Sequence, residues 1–207
     1  MRGGLKLDGM GDLSDKTVAV LGATGAQGSA VVDALLPRGA TVRALVRDEA
    51  SEGARRLAAR GVRLVRGALD DAAALEALFE GADGAFTVLL PGNAEDPGRE
   101  MRWGATVMGA AERAGVGHVV HSSVSATGWR ERLPQQAGTF AKAAGYWDGK
   151  EWVEGRLRAS TIAVGTTLKP AYFMENFLPP RVSGWRPPGS RPGRRGTSEA
   201  EGEGSGR

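Results

Sequence analysis

Residues 17–48 read TVAVLGATGAQGSAVVDALLPRGATVRALVRD. A short apolar run, Thr17–Leu21, leads into a glycine loop, Gly22-Ala-Thr24-Gly25-Ala26-Gln27-Gly28. A helical pattern from about Gln27 to Leu36 follows, stops at Pro37-Arg38-Gly39, and gives way to a second β-branched run, Thr41–Val46. A strand, a glycine turn that opens a helix, and a second strand make a βαβ unit. In such a turn the backbone must approach a pyrophosphate closely, and free amides at the helix start must point at it. Gly22 and Gly25 suit the turn and the close approach, and Gly28 suits tight packing of the helix on the strand. Glycines spaced by three arise by chance in a chain with 32 glycines; the position in the first βα pair is what carries the reading.

The rhythm continues outward. Val62–Val65, Gly84–Leu89, Gly117–His121 and Thr161–Leu168 are further short apolar runs of the buried parallel-strand type. One helix is expected after the cap pair Asp70/Asp71, ending at Gly81, with Leu75, Leu78 and Phe79 on one face. Another has Pro97 near its first turn, a stripe of Met101, Met108 and Ala111, and an end at Gly115. Six strands alternating with helices predict an α/β fold, a doubly wound parallel sheet of Rossmann type. Residues 126–145 form a long connection expected to be a lid or disordered.

The ends read differently. Residues 1–15 are expected to be a flexible segment, 16–180 the domain, and 181–207 a disordered Gly/Arg/Pro-rich tail. The tail holds 6 Arg and 3 Glu, and the whole chain is +3, so residues 1–180 carry no net charge. The basic balance belongs to the tail, and no specific nucleic-acid binding is expected. There is no cysteine, and two histidines, His118 and His121, are too few for a zinc site, so no metal is expected. No run approaches the length of a membrane span and the start has no signal-peptide pattern. A cytoplasmic protein that does not engage membranes is the expectation.

The glycine loop resembles that of the NmrA-like family, atypical short-chain dehydrogenase/reductases, and the likeness continues through LVRGALDD, HVVHSSVS, DGKEWVE and KPAYFMENFLPP. It covers roughly residues 16–180. The resemblance implies NADP binding, with NAD left open, and either an NADPH-dependent oxidoreductase of a small carbonyl or quinone-like substrate or a non-catalytic redox sensor acting through a regulatory protein partner. It implies cofactor contacts from Gly22, Thr24, Gly25, Ala26, Gln27 and Gly28. Arg47, at the tip of the second strand, would pair with a 2′-phosphate, while Asp48 beside it suits the ribose of NAD. Relatives often show Gly-Asp where this chain has Gly67-Ala68, so adenine recognition falls to Leu69; Leu89, beside Leu90, would line the nicotinamide side.

Tyr146 and Lys150, four apart at a helix start, share one face. In short-chain reductases such an ammonium favours the phenolate, and the tyrosine exchanges a proton with substrate. NmrA-like proteins often keep the lysine and lack the tyrosine. Ser123 or Ser125 completes the set, and Phe173 and Asn176 match the family's later cofactor-contacting stretch. Family members continue past ENFLPP, whereas this chain turns into WRPPGSRPGRRGTSEAEGEGSGR. Truncation after residue 180, or a frameshift in GC-rich DNA, is the expectation.

Overall fold

The computed structural model describes residues 11–141 and 143–173. The chain divides into two units, Met1–Ala171 and Tyr172–Arg207. In the second, only Tyr172 and Phe173 are among the described residues, and both are exposed. The disorder expected of 181–207 and the flexibility expected of the first ten residues lie outside the described residues.

The first unit runs β1 (Thr17–Val20), α1 (Ala26–Leu35), a 3₁₀ turn (Leu36–Arg38), β2 (Thr41–Val46), α2 (Glu52–Ala58), β3 (Arg63–Arg66), α3 (Ala72–Phe79), β4 (Gly84–Val88) and α4 (Arg99–Arg113). It continues with β5 (His118–Ser122), α5 (Trp129–Arg132), a 3₁₀ turn (Pro134–Gln136), α6 (Ala137–Ala141), α7 (Ala144–Arg158) and β6 (Val164–Leu168). The strands form one sheet in the order β3-β2-β1-β4-β5-β6, and every pairing is parallel. The order reverses between β1 and β4, which opens a crevice at the carboxyl ends of those strands.

Both faces of the sheet are covered. Ala19 and Leu21 of the β1 segment face Leu75, Leu78, Phe79, Met108, Val153 and Leu157 on one side, while Val20, Val42 and Ala44 meet Val32 and Leu57 on the other. Each fully buried Leu or Phe of these layers contributes about 2–3 kcal/mol of transfer free energy. Left-handed glycines end elements where the sequence placed stops: Gly39 (φ +84), Gly81 (φ +61) and Gly115 (φ +70).

Four local features differ from the sequence reading. Helix α2 was not anticipated; Ser51 caps it by accepting from Ala54 N at 3.3 Å, and Ala54 and Leu57 are its buried face. The 126–145 connection is a folded excursion, with α5, a 3₁₀ turn and α6. Trp129 stacks on Phe140 (5.4 Å between centroids), Phe140 meets Trp147 edge-on, and Trp147 meets Tyr146, so aromatic burial supplies the order. Strand β6 starts at Val164 rather than Thr161, because Thr161 N donates instead to Glu112 Oε1 at 2.9 Å. The residues ahead of β1 are also anchored: Leu13 N donates to Arg38 O, and Arg38 Nε to Gly11 O.

Candidate functional site

The glycine loop lies at the reversal point, and its geometry leaves no freedom of residue choice at two positions. Gly22 has φ +68, and a Cβ there would sit 2.8 Å from Val88 Cγ1. A Cβ on Gly28 would lie 2.3 Å from the Gly22 carbonyl oxygen and 2.7 Å from Ala23 Cα. Gly25 N donates to Gly22 O, closing the turn, and Gly25 is the N-cap of α1 with no side-chain cap bond. Thr24, Gly25 and Ala26 are exposed, and Gln27 is half-buried. The first amides of α1 therefore face an open surface suited to an anion. Gln27 Oε1 accepts from Ser122 Oγ at 2.6 Å, which ties the helix start to the end of β5.

Arg47 is exposed at the carboxyl end of β2. Asp48 is turned into its own loop, its Oδ1 accepting from Ala50 N at 2.9 Å. At the end of β3, Gly67 N donates to Val46 O. Leu69 is half-buried against the core layer. The cap of α3 is Asp71, accepting from Ala74 N at 3.0 Å; Asp70 stays exposed. At the end of β4, the Leu89 side chain is in the core, and Leu90 is the exposed member of the pair.

Lys150 is buried on α7, and its Nζ donates to Glu100 Oε1 at 2.6 Å and to the Leu89 carbonyl at 2.8 Å. Glu100, from the first turn of α4, was not singled out in the sequence. Burial pushes its carboxyl up, opposed by the Lys150 hydrogen bond and charge. Tyr146 stands on the same face of α7, its ring centroid 5.9 Å from Lys150 Nζ. Burial and the Glu100 charge raise its phenol above the ordinary value. The sequence pointed to an ammonium that draws the phenol down; Glu100 takes up that charge, and the phenol is shifted up instead.

Beside this pair lies a second polar group of residues. Ser123 Oγ donates to Glu154 Oε1 at 2.5 Å, and Lys169, just past β6, bonds Glu154 Oε2 at 2.8 Å and Thr127 Oγ1 at 2.6 Å. Burial raises the Glu154 carboxyl, but the bonds from Lys169, Ser123 and Thr127 outweigh it and hold it low. His121, fully buried, shares a 2.9 Å bond between Nδ1 and Thr87 Oγ1, while its Nε2 has no partner among the described residues. Burial first, then the Lys150 charge, lower its pKa to about 4, so it is neutral. Ser125 N donates to Pro170 O, which places it on the β5–β6 loop seam. Gly22–Gly28, Leu89 and Ser123 thus follow the carboxyl ends of the neighbouring strands β1, β4 and β5, and Lys150 reaches the Leu89 carbonyl from α7. Phe173 belongs to the second unit, and Asn176 lies outside the described residues.

Among the described residues, no helix is long and apolar enough to cross a membrane. The family profile described as the NmrA-like family matches residues 14–188. An NAD(P)H azoreductase of Xenophilus azovorans is 35% identical over 163 residues, covering 78% of this chain and 50% of that protein. The Citrobacter sp. triphenylmethane reductase complexed with NADP(H) superposes with a TM-score of 0.61 at 25% identity, over 78% of this chain and 51% of that one. NmrA, a negative transcriptional regulator, in complex with NADP, gives a TM-score of 0.59 at 29% identity, over 73% and 44%. The chain spans about half the length of the curated relatives it matches.

Proposed function

The chain belongs to the NmrA-like family, and from that premise we propose that it binds NADP(H) at the β1/β4 crevice and reduces a small carbonyl, quinone-like or other conjugated substrate. The observation that carries the reading is Gly28: a backbone cradle too tight for any Cβ, at the start of a helix whose first amides are open. That cradle fits a pyrophosphate by the chemistry of its donors. The amides of Ala26 and Gln27 would hold the phosphates, Arg47 the 2′-phosphate, Leu69 the adenine side, and Lys150 a ribose hydroxyl.

The reduced nicotinamide, when bound, would supply a hydride. Tyr146 is the proton donor in this reading; burial and the Glu100 charge raise its pKa, which makes it a weaker acid than a phenol that an ammonium draws down. Lys150 serves to orient the dinucleotide in this reading, its charge paired with Glu100. Relatives named as an azoreductase and a triphenylmethane reductase support a conjugated substrate.

The second reading is an NADP-occupied sensor that acts on a protein partner, as the regulator among the structural neighbours suggests. Ser123 favours it, because its hydroxyl proton is already given to Glu154. Titration with NADPH and NADH, followed by a turnover screen on quinones, azo dyes and aldehydes, separates the two. Turnover abolished by Tyr146→Phe supports the reductase; tight NADPH binding with no turnover supports the sensor. Absence of NADPH binding defeats both.

A further inference from the structure

We propose that Glu100 is a positioning residue: its buried carboxylate and the Leu89 carbonyl together hold Lys150 so that the third ammonium N–H is aimed by the protein. The inference rests on the reading of Lys150 as a dinucleotide contact. A lysine ammonium has three N–H donors and a flexible stem, so an unrestrained one serves many geometries. Here two donors are committed, at 2.6 Å to Glu100 Oε1 and 2.8 Å to Leu89 O, and the side chain is 5% exposed. One donor remains, and its direction is set.

The helix crossing is built to let Glu100 reach. Gly149 precedes Lys150 on α7, and a Cβ there would stand 2.9 Å from Glu100 Oε2. Gly104, one turn further along α4, would meet Val153 Cγ2 at 2.7 Å. Two glycines thus bring α4 and α7 close enough for a glutamate to lie between them, 1% exposed. As a device for stability alone the pair is a poor one. Glu100 Oε2 is buried without a hydrogen-bond partner among the described residues, and apolar residues commonly replace such pairs without loss. What the pair does supply is a charged, fixed lysine inside a dry site.

The charged and titratable groups around the pair are Arg99 beside Glu100 on α4, Tyr146 and Glu154 on α7, and His121 on β5. His121 is neutral, so Glu100 is the direct counter-charge of Lys150. Replacing it with an uncharged isostere leaves a buried ammonium facing an amide, and burial then drives Lys150 towards the neutral amine.

The test is NADPH affinity of the full chain, measured by fluorescence titration from about pH 6 to about pH 9, for wild type, Glu100→Gln, Glu100→Asp and Lys150→Met. Wild type is expected to bind with little pH dependence. Glu100→Gln should bind roughly ten-fold more weakly at neutral pH, since a fixed charge-assisted bond is lost, and should weaken further as pH rises. Glu100→Asp keeps the charge and should keep the flat profile. Lys150→Met should be weak at every pH. If Glu100→Gln binds with the wild-type affinity and profile while Lys150→Met is weak, the positioning role is wrong and the cofactor reading stands. If Lys150→Met binds as wild type does, the reading of Lys150 fails and the proposal falls with it. Should Glu100→Gln not fold, by circular dichroism, a pH slope acquired by Glu100→Asp overturns the proposal and a flat profile supports it.

Discussion

Alanine at position 28 would place its methyl group 2.3 Å from the Gly22 carbonyl oxygen and 2.7 Å from Ala23 Cα. Ordinary contact begins at 3.4 Å, so the turn must open by about 1 Å. Both obstructing atoms are backbone, and no rotamer change relieves them. Overpacking of this kind costs about 1–3 kcal/mol, and the upper end applies where backbone must move. Alanine returns about 1 kcal/mol in helix propensity. The net expectation for Gly28→Ala is a loss of about 2 kcal/mol, or roughly 5 °C in Tm. NADPH affinity should fall more than about ten-fold, because the same shift displaces the first amides of α1. Gly155, inside α7, provides the control: a Cβ there meets nothing within 4 Å. Gly155→Ala should raise Tm by about 3 °C and leave NADPH binding unchanged. Thermal melts by circular dichroism and fluorescence titration read both. A Gly28→Ala protein that melts at or above wild type and binds NADPH equally would refute the reasoning.

Three further outcomes are expected. His121 has a folded pKa of about 4 against 6.5 unfolded, so the unfolded chain binds the extra proton; the His121 contribution is present above pH 6.5 and lost as pH falls towards 4. That is about 3 kcal/mol of acid sensitivity; urea midpoints at neutral and acid pH should show it in wild type and much less of it in His121→Gln. Asp71→Ala should lower stability by about 1 kcal/mol through loss of the α3 cap, while Asp70→Ala should be near neutral; equal losses would reassign the cap. Arg47→Ala should weaken NADPH roughly ten-fold and leave NADH unchanged, and a parallel change in both would remove Arg47 from the 2′-phosphate.

The sheet was legible because its signals are local. The β-branched runs, the glycine stops at Gly39, Gly81 and Gly115, and the turn around Gly28 each act over a few residues. What escaped was set by distant neighbours. Glu100 in a first helical turn reads as a solvated carboxylate at the dipole's positive end. Its burial depends on Gly149, some fifty residues away, and nothing in either segment announces the other. Tyr146 and Lys150 were visible as a pair, but the sign of their electrostatics was not, because Glu100 decides it. The aromatic excursion was hidden for a similar reason: Trp129, Phe140 and Trp147 are too widely spaced to make a periodic pattern, yet they meet in space. Helix α2 did have a signal in Ser51, Glu52 and the i, i+3 pair Ala54 and Leu57.

Among the described residues strand β6 ends the strand order, hydrogen-bonded to β5, with Val164 51% and Leu168 45% exposed. A strand secured along one side, with little apolar burial, belongs to the part of a fold that opens first, at a free energy below that of global unfolding. Lys169 follows directly from it and holds Glu154, which in turn accepts the Ser123 hydroxyl hydrogen bond. Partial opening at this margin would therefore disconnect Ser123's partner while the nucleotide crevice at β1 and β4 stayed closed. The two halves of the site have separate breaking points, and under mild denaturant or a brief protease pulse the protein should lose the polar cluster before it loses the dinucleotide cradle.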